Sequence, residues 1–136
     1  SCNADGSQTY HVTFTMTNTI PETDLSSGNS YILGDAPTIA SPGVAVERML
    51  FYPPAGGSIS NLQVTAGQGG TPVEATMDDQ ALWTSVAYIS AGETVTYQFD
   101  VTTSPKSVSD LTLDQSPAGS SDPGVTYDTA ACAIAK

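Results

Sequence analysis

Basic side chains are scarce in this sequence. Three lysine and arginine residues stand against 14 aspartates and glutamates, which gives a formal net charge of −11. Nucleic acids and anionic membrane surfaces attract proteins through clustered Lys and Arg. The composition therefore weighs against nucleic acid as a partner and leaves a cationic partner, a neutral glycan or calcium open. The simplest role for the acidity is solubility.

Cysteine is also rare, with Cys2 and Cys132 near opposite ends of the chain. Two cysteines allow one intramolecular pairing, and the absence of a CxxC motif or a neighbouring ligand cluster argues against zinc. A reactive thiol beside His11 would need a base and an oxyanion site, and we do not favour it. We predict a Cys2–Cys132 disulfide that ties the first strand to the last and implies an oxidising, extracellular or cell-surface location.

Long apolar runs and helical patterns are missing. No run approaches the ~18 residues of a membrane span, and the first residues lack the charged-then-apolar pattern of a signal peptide. We expect no membrane span in this chain, and an exported protein would carry its signal or anchor outside these residues. No window of a dozen residues has helical periodicity. The 136 residues suit one domain, residues 1–136.

Strand-like alternation is what the sequence has instead. Every second residue from Val95 to Val101 is apolar, which is the period of a half-buried strand. Residues 81–89 are apolar on both faces, which predicts a strand in the middle of a layered structure. The link at residues 90–93 contains glycine, so we predict a β-hairpin at the centre of a sandwich.

Other strands are expected at residues 10–19, 30–33, 44–52, 58–65, 73–77, 107–113 and 125–134. The second half of 44–52 is apolar on both faces and predicts an interior strand. Ile59 and Leu62 are out of phase unless a bulge intervenes. Residues 22–29 are predicted to form a loop. We expect an all-β fold, an antiparallel immunoglobulin-like β-sandwich of seven to nine strands with its termini joined by a disulfide.

Candidate catalytic groups are few. His11 is the only histidine, and alternation places it on the polar face of the first strand. A serine hydrolase needs a Gly-x-Ser-x-Gly turn with a histidine and an acid, and that turn is missing. Asp128-Thr129-Ala130 lacks the glycine of an aspartic protease loop, and Lys106 and Lys136 are poorly placed for an isopeptide bond. We predict no catalytic residue and no cofactor.

Calcium and glycan binding stay open as alternatives. Asp78-Asp79 offers hard oxygen ligands, but the Asp-x-Asp-x-Asp-Gly loop is missing, and aspartate also favours turns for its backbone geometry. A glycan platform would use exposed aromatic rings, for which Trp83 with Tyr88 or Tyr52 are the candidates. We expect Trp83 in the core. Metal-binding and ligand-binding residues are therefore left unassigned.

Several turn motifs resemble those of a known family. Pro42-Gly43 is followed by RMLFYPPAGG at 48–57, SISNLQV at 58–64 and SAGETVTY at 90–97, and NTIP stands at 18–21. The pattern is similar to the extracellular carboxy-terminal part of an uncharacterised family of actinobacterial envelope proteins, and the SAGETVTY segment is shared with many bacterial immunoglobulin-like modules. The terminal cysteines and residues 116–124 fall outside the pattern. The resemblance implies an envelope-exposed module with an upstream membrane anchor and assigns no site residue.

These observations predict a non-catalytic extracellular or cell-surface module of a larger exported protein, acting as a spacer, adhesion or assembly domain. Its expected partner is another protein or a glycan at the cell surface. The alternative is a carbohydrate- or calcium-binding β-sandwich module, and a small hydrolase that uses His11 as its base is a third hypothesis.

Overall fold

The chain folds into two antiparallel sheets in a computed structural model that describes residues 1–34, 38–107, 111–116 and 126. Its elements are β1 (Thr9–Thr17), α1 (Glu22–Ser27), α2 (Ser30–Leu33), β2 (Ala45–Phe51), β3 (Ser58–Ala66), β4 (Val73–Met77), β5 (Gln80–Ile89) and β6 (Thr94–Thr102). Sheet one has the strand order β1-β6-β3, and sheet two has the order β2-β5-β4. The predicted all-β class is confirmed.

The hydrophobic core lies between the two sheets. Alternating residues of β6 from Val95 to Val101 are buried, as their spacing predicts. Phe51 of sheet two contacts three aromatic rings of sheet one, with centroid distances of 6.3 Å to Phe14, 5.2 Å to Tyr97 and 5.4 Å to Phe99. Edge-on and tilted pairs of this kind add to the free energy gained from burial. This aromatic cluster holds the inner faces of the sheets together.

The predicted hairpin between residues 81–89 and 94–102 is wrong. The two segments are strands β5 and β6, but β5 lies in the middle of sheet two and β6 lies in the middle of sheet one. Residues 90–93 therefore cross from one layer to the other instead of reversing the chain within a sheet. Both strands turn an apolar face to the same core, and each is flanked by two other strands of its own sheet.

Asn18 fastens this crossing to the end of β1. The buried side-chain amide donates to the carbonyl oxygens of Gly43 at 2.8 Å and Ile89 at 2.9 Å, and its oxygen accepts from the Ile20 amide at 3.1 Å. Its backbone amide donates to the Glu93 carbonyl, and its carbonyl accepts from Gly92. One residue thus links β1, the segment before β2, and the link between the sheets.

Two short helices replace a predicted loop and a predicted strand. Residues 22–29, expected as loop, contain α1, which begins after Pro21 and ends at Gly28 in the left-handed region with φ 65°. Residues 30–33, expected as a strand, form the single turn α2, because the side chain of Asn29 accepts from the Tyr31 amide at 3.0 Å and caps it. Both helices are shorter than a dozen residues, so hydrophobic periodicity could not detect them.

The predictions for β2 and β3 had different outcomes. β2 was predicted to be interior, but β5 is its neighbour on one side and it forms one edge of sheet two within the described ranges. The register of β3 with β6 shifts between Ser60 and Gln63, and this irregularity accounts for Ile59 and Leu62 being out of phase. Asn61 lies in that shift with φ 56°. Asp78 and Asp79 form the turn between β4 and β5, both with positive φ.

Several predictions concern the carboxy-terminal part of the chain. The strand expected at 125–134 and Cys132 lie outside the described residues, so the Cys2–Cys132 disulfide stays a prediction. The backbones of Cys2 and Gln8 form an isolated antiparallel β-bridge beside the start of β1. Of the strand expected at 107–113, the described residues 107 and 111–113 have no strand conformation. None of the helices in the described ranges has the length and apolar character needed to cross a membrane.

Candidate functional site

The outer face of sheet one is polar. Alternation turns threonine, serine and glutamine side chains of all three strands to solvent. Neighbouring hydroxyl groups contact one another across the strands, with 3.1 Å between Thr9 and Thr102 and 2.7 Å between Thr17 and Thr94. Such pairs stabilise a solvated strand surface. This face has the composition expected of the solvated side of an antiparallel sheet.

His11 lies on this polar face, as its position in β1 predicts. Its Nδ1 atom is 2.9 Å from Asp100 Oδ1, and the Asn61 side chain donates to Asp100 Oδ2 at 2.7 Å. The bond from Asn61, and then the bond from His11, hold the pKa of the Asp100 carboxyl below its usual value. The His11 side chain is 66 % exposed on a flat sheet. The three side chains form a solvated polar cluster.

The outer face of sheet two is apolar. Residues paired across strands lie on the same face, so the register fixes which side chains point away from the core. We call this surface the apolar face. Arg48, Gln80 and Thr84 also point outward here, and the apolar members of the face are Val46, Leu50, Tyr52, Val73, Met77, Leu82, Val86 and Tyr88. Six of these side chains are between 37 % and 54 % exposed. A water-facing sheet surface normally carries polar residues, so this face departs from the rule that sheet one follows.

The side chains of the apolar face also contact one another. The Tyr52 hydroxyl donates to Met77 Sδ at 3.4 Å. Tyr52 follows β2 and Met77 ends β4, so this contact crosses the central strand β5. Leu82 lies at that level of β5 and is only 3 % exposed, although it is not part of the core cluster. The face is thus a packed surface rather than a set of separate exposed residues.

One cation lies among these apolar residues. Arg48 is opposite Val86 in the register of β2 with β5, and its side chain is exposed. Among the residues that the structure describes, no carboxylate lies within ion-pair distance of it. Of the outward-facing strand residues of sheet two, Arg48 alone is charged.

The three aromatic candidates for glycan binding lie on opposite sides of sheet two. Trp83 lies on the inner side, where it packs against the core and its Nε1 donates to the Ile59 carbonyl at 3.2 Å. The expectation of a core tryptophan is confirmed. Tyr52 and Tyr88 lie together on the apolar face, 46 % and 42 % exposed. Two residues of this face, Tyr52 and Tyr88, were therefore identified from the sequence as candidates for glycan binding.

Comparison of the chain with protein-family models, with curated proteins and with solved structures finds no match.

A cavity is also present in the described part of the chain. A cavity of about 460 Å³ is lined by Pro54, Ala55, Thr103, Ser104, Lys106, Ser107, Leu111 and Thr112. Lys106 is the one ionisable side chain of that lining. Within the described ranges, no three His, Cys, Asp or Glu residues are grouped so as to hold a metal ion.

Six members of the apolar face were not foreseen as a surface: Val46, Leu50, Val73, Met77, Leu82 and Val86. A signal was present for Val46, Leu50, Leu82 and Val86, because residues 44–52 and 81–89 are apolar on both faces. That pattern was interpreted as burial between layers. It instead marks strands with one face in the core and one face in solvent.

Proposed function

We propose that this chain is a non-catalytic module of an exported or cell-surface protein, with a role in adhesion or assembly. The observation that carries the proposal is the apolar face of sheet two. Contiguous exposed apolar surface on a soluble protein marks a site of interaction with another macromolecule. The face is the outer side of a three-stranded sheet, whereas catalytic and small-molecule sites are concave.

The finer structural features belong to the same proposal. The two packed sheets would be an immunoglobulin-like sandwich, with Cys2 and Cys132 joining the ends of the chain. Disulfides of this kind persist outside the reducing cytosol, which supports an extracellular or envelope location. The turn motifs at residues 48–57 and 90–97 support the resemblance to actinobacterial envelope proteins. A spacer role alone would not explain why the outer side of sheet two exposes apolar side chains.

Carbohydrate binding is the second candidate, because Tyr52 and Tyr88 are exposed on one face. Rings on a flat sheet can stack on sugars. The residues between them are mostly aliphatic, however, and aliphatic side chains suit a protein partner better than a sugar ring. We therefore rank glycan binding below protein binding. Calcium binding is the other form of this second candidate function and stays a prediction.

Binding and turnover assays with the full chain test the proposal. We expect no signal on a glycan array and no heat on titration with calcium. A glycan signal that disappears in Tyr88→Ala and persists in the control Thr15→Ala would favour the second candidate. We also expect no hydrolysis of ester, peptide and glycoside substrates. Turnover that is lost in His11→Ala would contradict the non-catalytic role.

A further inference from the structure

The outer edge of β1 presents a row of backbone hydrogen-bonding groups. In an antiparallel pair, successive residues turn their N–H and C=O groups alternately toward the partner strand and away from it. At the start of β1, the Gln8 carbonyl accepts from Thr103 on the side of β6, and Thr9 exchanges bonds with Ser1 on the opposite side. The same alternation turns the backbone groups of four further residues to the outer edge: His11, Thr13, Thr15 and Thr17. Within the described ranges, these four have no backbone partner on that side.

β1 also lacks the features that protect strand edges. Short length, charged side chains, proline and bulges discourage an edge strand from pairing with another chain. β4 has five residues, β2 carries Glu47 and Arg48, and β3 has two register shifts, the first at the left-handed Asn61. β1 has nine residues without proline, aspartate, glutamate, lysine or arginine, and its register with β6 is unbroken. Of the sheet edges in the part of the chain that the structure describes, β1 is the one suited to receive a strand.

The inward-facing side chains of β1 are incompletely covered. Val12, Phe14 and Met16 pack against the core but are only partly buried. Their cross-strand partners on β6, which has a neighbouring strand on each side, are buried: Phe99, Tyr97 and Val95. The open side of β1 accounts for this difference. A strand added there would cover the three side chains if its own apolar side chains stood at alternate positions.

We propose that the outer edge of β1 is a docking site for an extended segment of a partner protein, which joins sheet one as an antiparallel strand beside β1. Only an extended backbone pairs with such a row of donors and acceptors, and alternate side chains then supply specificity. The stretch from His11 to Thr17 spans about 20 Å at about 3.3 Å per residue, so a segment of about seven to nine residues covers it. This inference goes beyond the role proposed above, because the site lies on sheet one and not on the apolar face.

Charge favours one kind of segment at this edge. The chain has a formal charge of −11, so a second copy of it is repelled. Acidic residues also flank β1 in the sequence: Asp5 lies in the turn before it, and Glu22 and Asp24 lie in the first turn of α1 after it. β1 itself has no acidic residue to oppose a cation. A partner segment with lysine or arginine at its solvent-facing positions is therefore favoured over an acidic one, and added salt should weaken its binding.

Hydrogen exchange followed by NMR tests whether the edge is open in the full chain. We expect the Thr13 and Thr15 amides, which face outward, to exchange rapidly, and the Phe14 and Met16 amides, which face β6, to be protected. Protection of both sets in the free protein would overturn the inference. Another part of the chain, such as residues 125–134, would then already cover the edge.

Peptide titration tests the chemistry of the partner. The probe is a synthetic peptide of about nine residues with valine at every second position and lysine or threonine between. We expect it to protect the Thr13 and Thr15 amides and to bind more weakly as NaCl is raised. N-methylation of its lysine and threonine positions removes the donors that face β1 and should weaken binding at least about tenfold. N-methylation of its valines is the matched control, because those donors face away from β1. No binding by the unmethylated peptide, or equal binding by the two methylated forms, overturns the inference.

Thr13→Pro carries the same test into the protein. Proline removes an N–H that faces outward, so the bonds of β1 with β6 are kept. Thr13→Ala is the matched control, because it removes the same side chain and keeps the amide. We expect the proline variant alone to bind the peptide about fivefold to tenfold more weakly.

Equal affinity in the two variants overturns the inference. The methylated peptides carry the test alone if circular dichroism shows Thr13→Pro to be unfolded. None of these results bears on the non-catalytic role, which the glycan, calcium and turnover assays decide separately.

Discussion

The amide of Asn18 illustrates how much a single buried polar side chain contributes to this fold. It supplies donors to two carbonyl groups, from residues 43 and 89, and an acceptor to a third backbone group. These groups, at residues 20, 43 and 89, belong to separate segments of the chain. The side chain therefore completes the hydrogen bonding of a junction where three segments of chain meet.

We predict that Asn18→Ala lowers the free energy of unfolding by about 2–4 kcal/mol, because buried carbonyl groups would lose their donors. Urea unfolding followed by the fluorescence of Trp83 measures the change. Asn29→Ala is the matched control, since Asn29 caps only the exposed single turn of α2, and we expect a loss of at most about 1 kcal/mol. Equal losses in the two variants would contradict the role given to Asn18.

Single positions also show which predictions a sequence supports. His11 was predicted on a polar face and Trp83 in the core, and both are confirmed because strand alternation is a local pattern. The role of Asn18 was not foreseen. Its partners are 25 and 71 residues away, and nothing local in the sequence indicates them.

Among the elements, the turn after β3 has the strictest backbone requirement. Gly67 has a φ of 78°, and a Cβ at that position would overlap the Thr94 carbonyl and the Val95 Cα at the start of β6. Gly92, in the crossing between the sheets, has a φ of 75° but open space around it. The two glycines thus share a left-handed backbone and differ in what surrounds them.

We predict that Gly67→Ala costs more stability than Gly92→Ala. A left-handed alanine costs about 1–2 kcal/mol, which is the whole effect expected at Gly92. Overpacking against backbone atoms adds about 1–3 kcal/mol at Gly67. Urea midpoints of the two variants, measured with the same slope, check the difference. Losses of similar size would show that β6 can shift to admit a methyl group.

The elements show where sequence analysis fails and why. The positions of the six strands follow from alternation or from runs that are apolar on both faces, but their pairing does not follow from either pattern. A four-residue link with glycine can reverse a chain within a sheet or carry it between layers, because local geometry permits both. Here β5 and β6 each have two other strands as neighbours, so they lie in different sheets and do not pair with each other. The same limit hid the apolar face, since exposure depends on what packs beside a strand.

At the scale of the whole chain, the predicted link between the ends is open to a direct test. We expect mass spectrometry of protein purified in air to find a mass lower by two hydrogens than after reduction. The Cys2→Ser/Cys132→Ser variant should be less stable by about 4–5 kcal/mol in the chain-entropy model. Dithiothreitol should destabilise the native chain and leave the double variant unchanged. Two free thiols in aerated protein would contradict the prediction.

The crossing at residues 90–93 has a mechanical consequence for the whole molecule. It connects the middle strand of one layer directly to the middle strand of the other, and Asn18 clamps it in place. A fluctuation that peels β5 away from its neighbours therefore pulls on β6 as well. We therefore expect that neither sheet unfolds while the other stays folded, and that the whole molecule unfolds in a single cooperative transition.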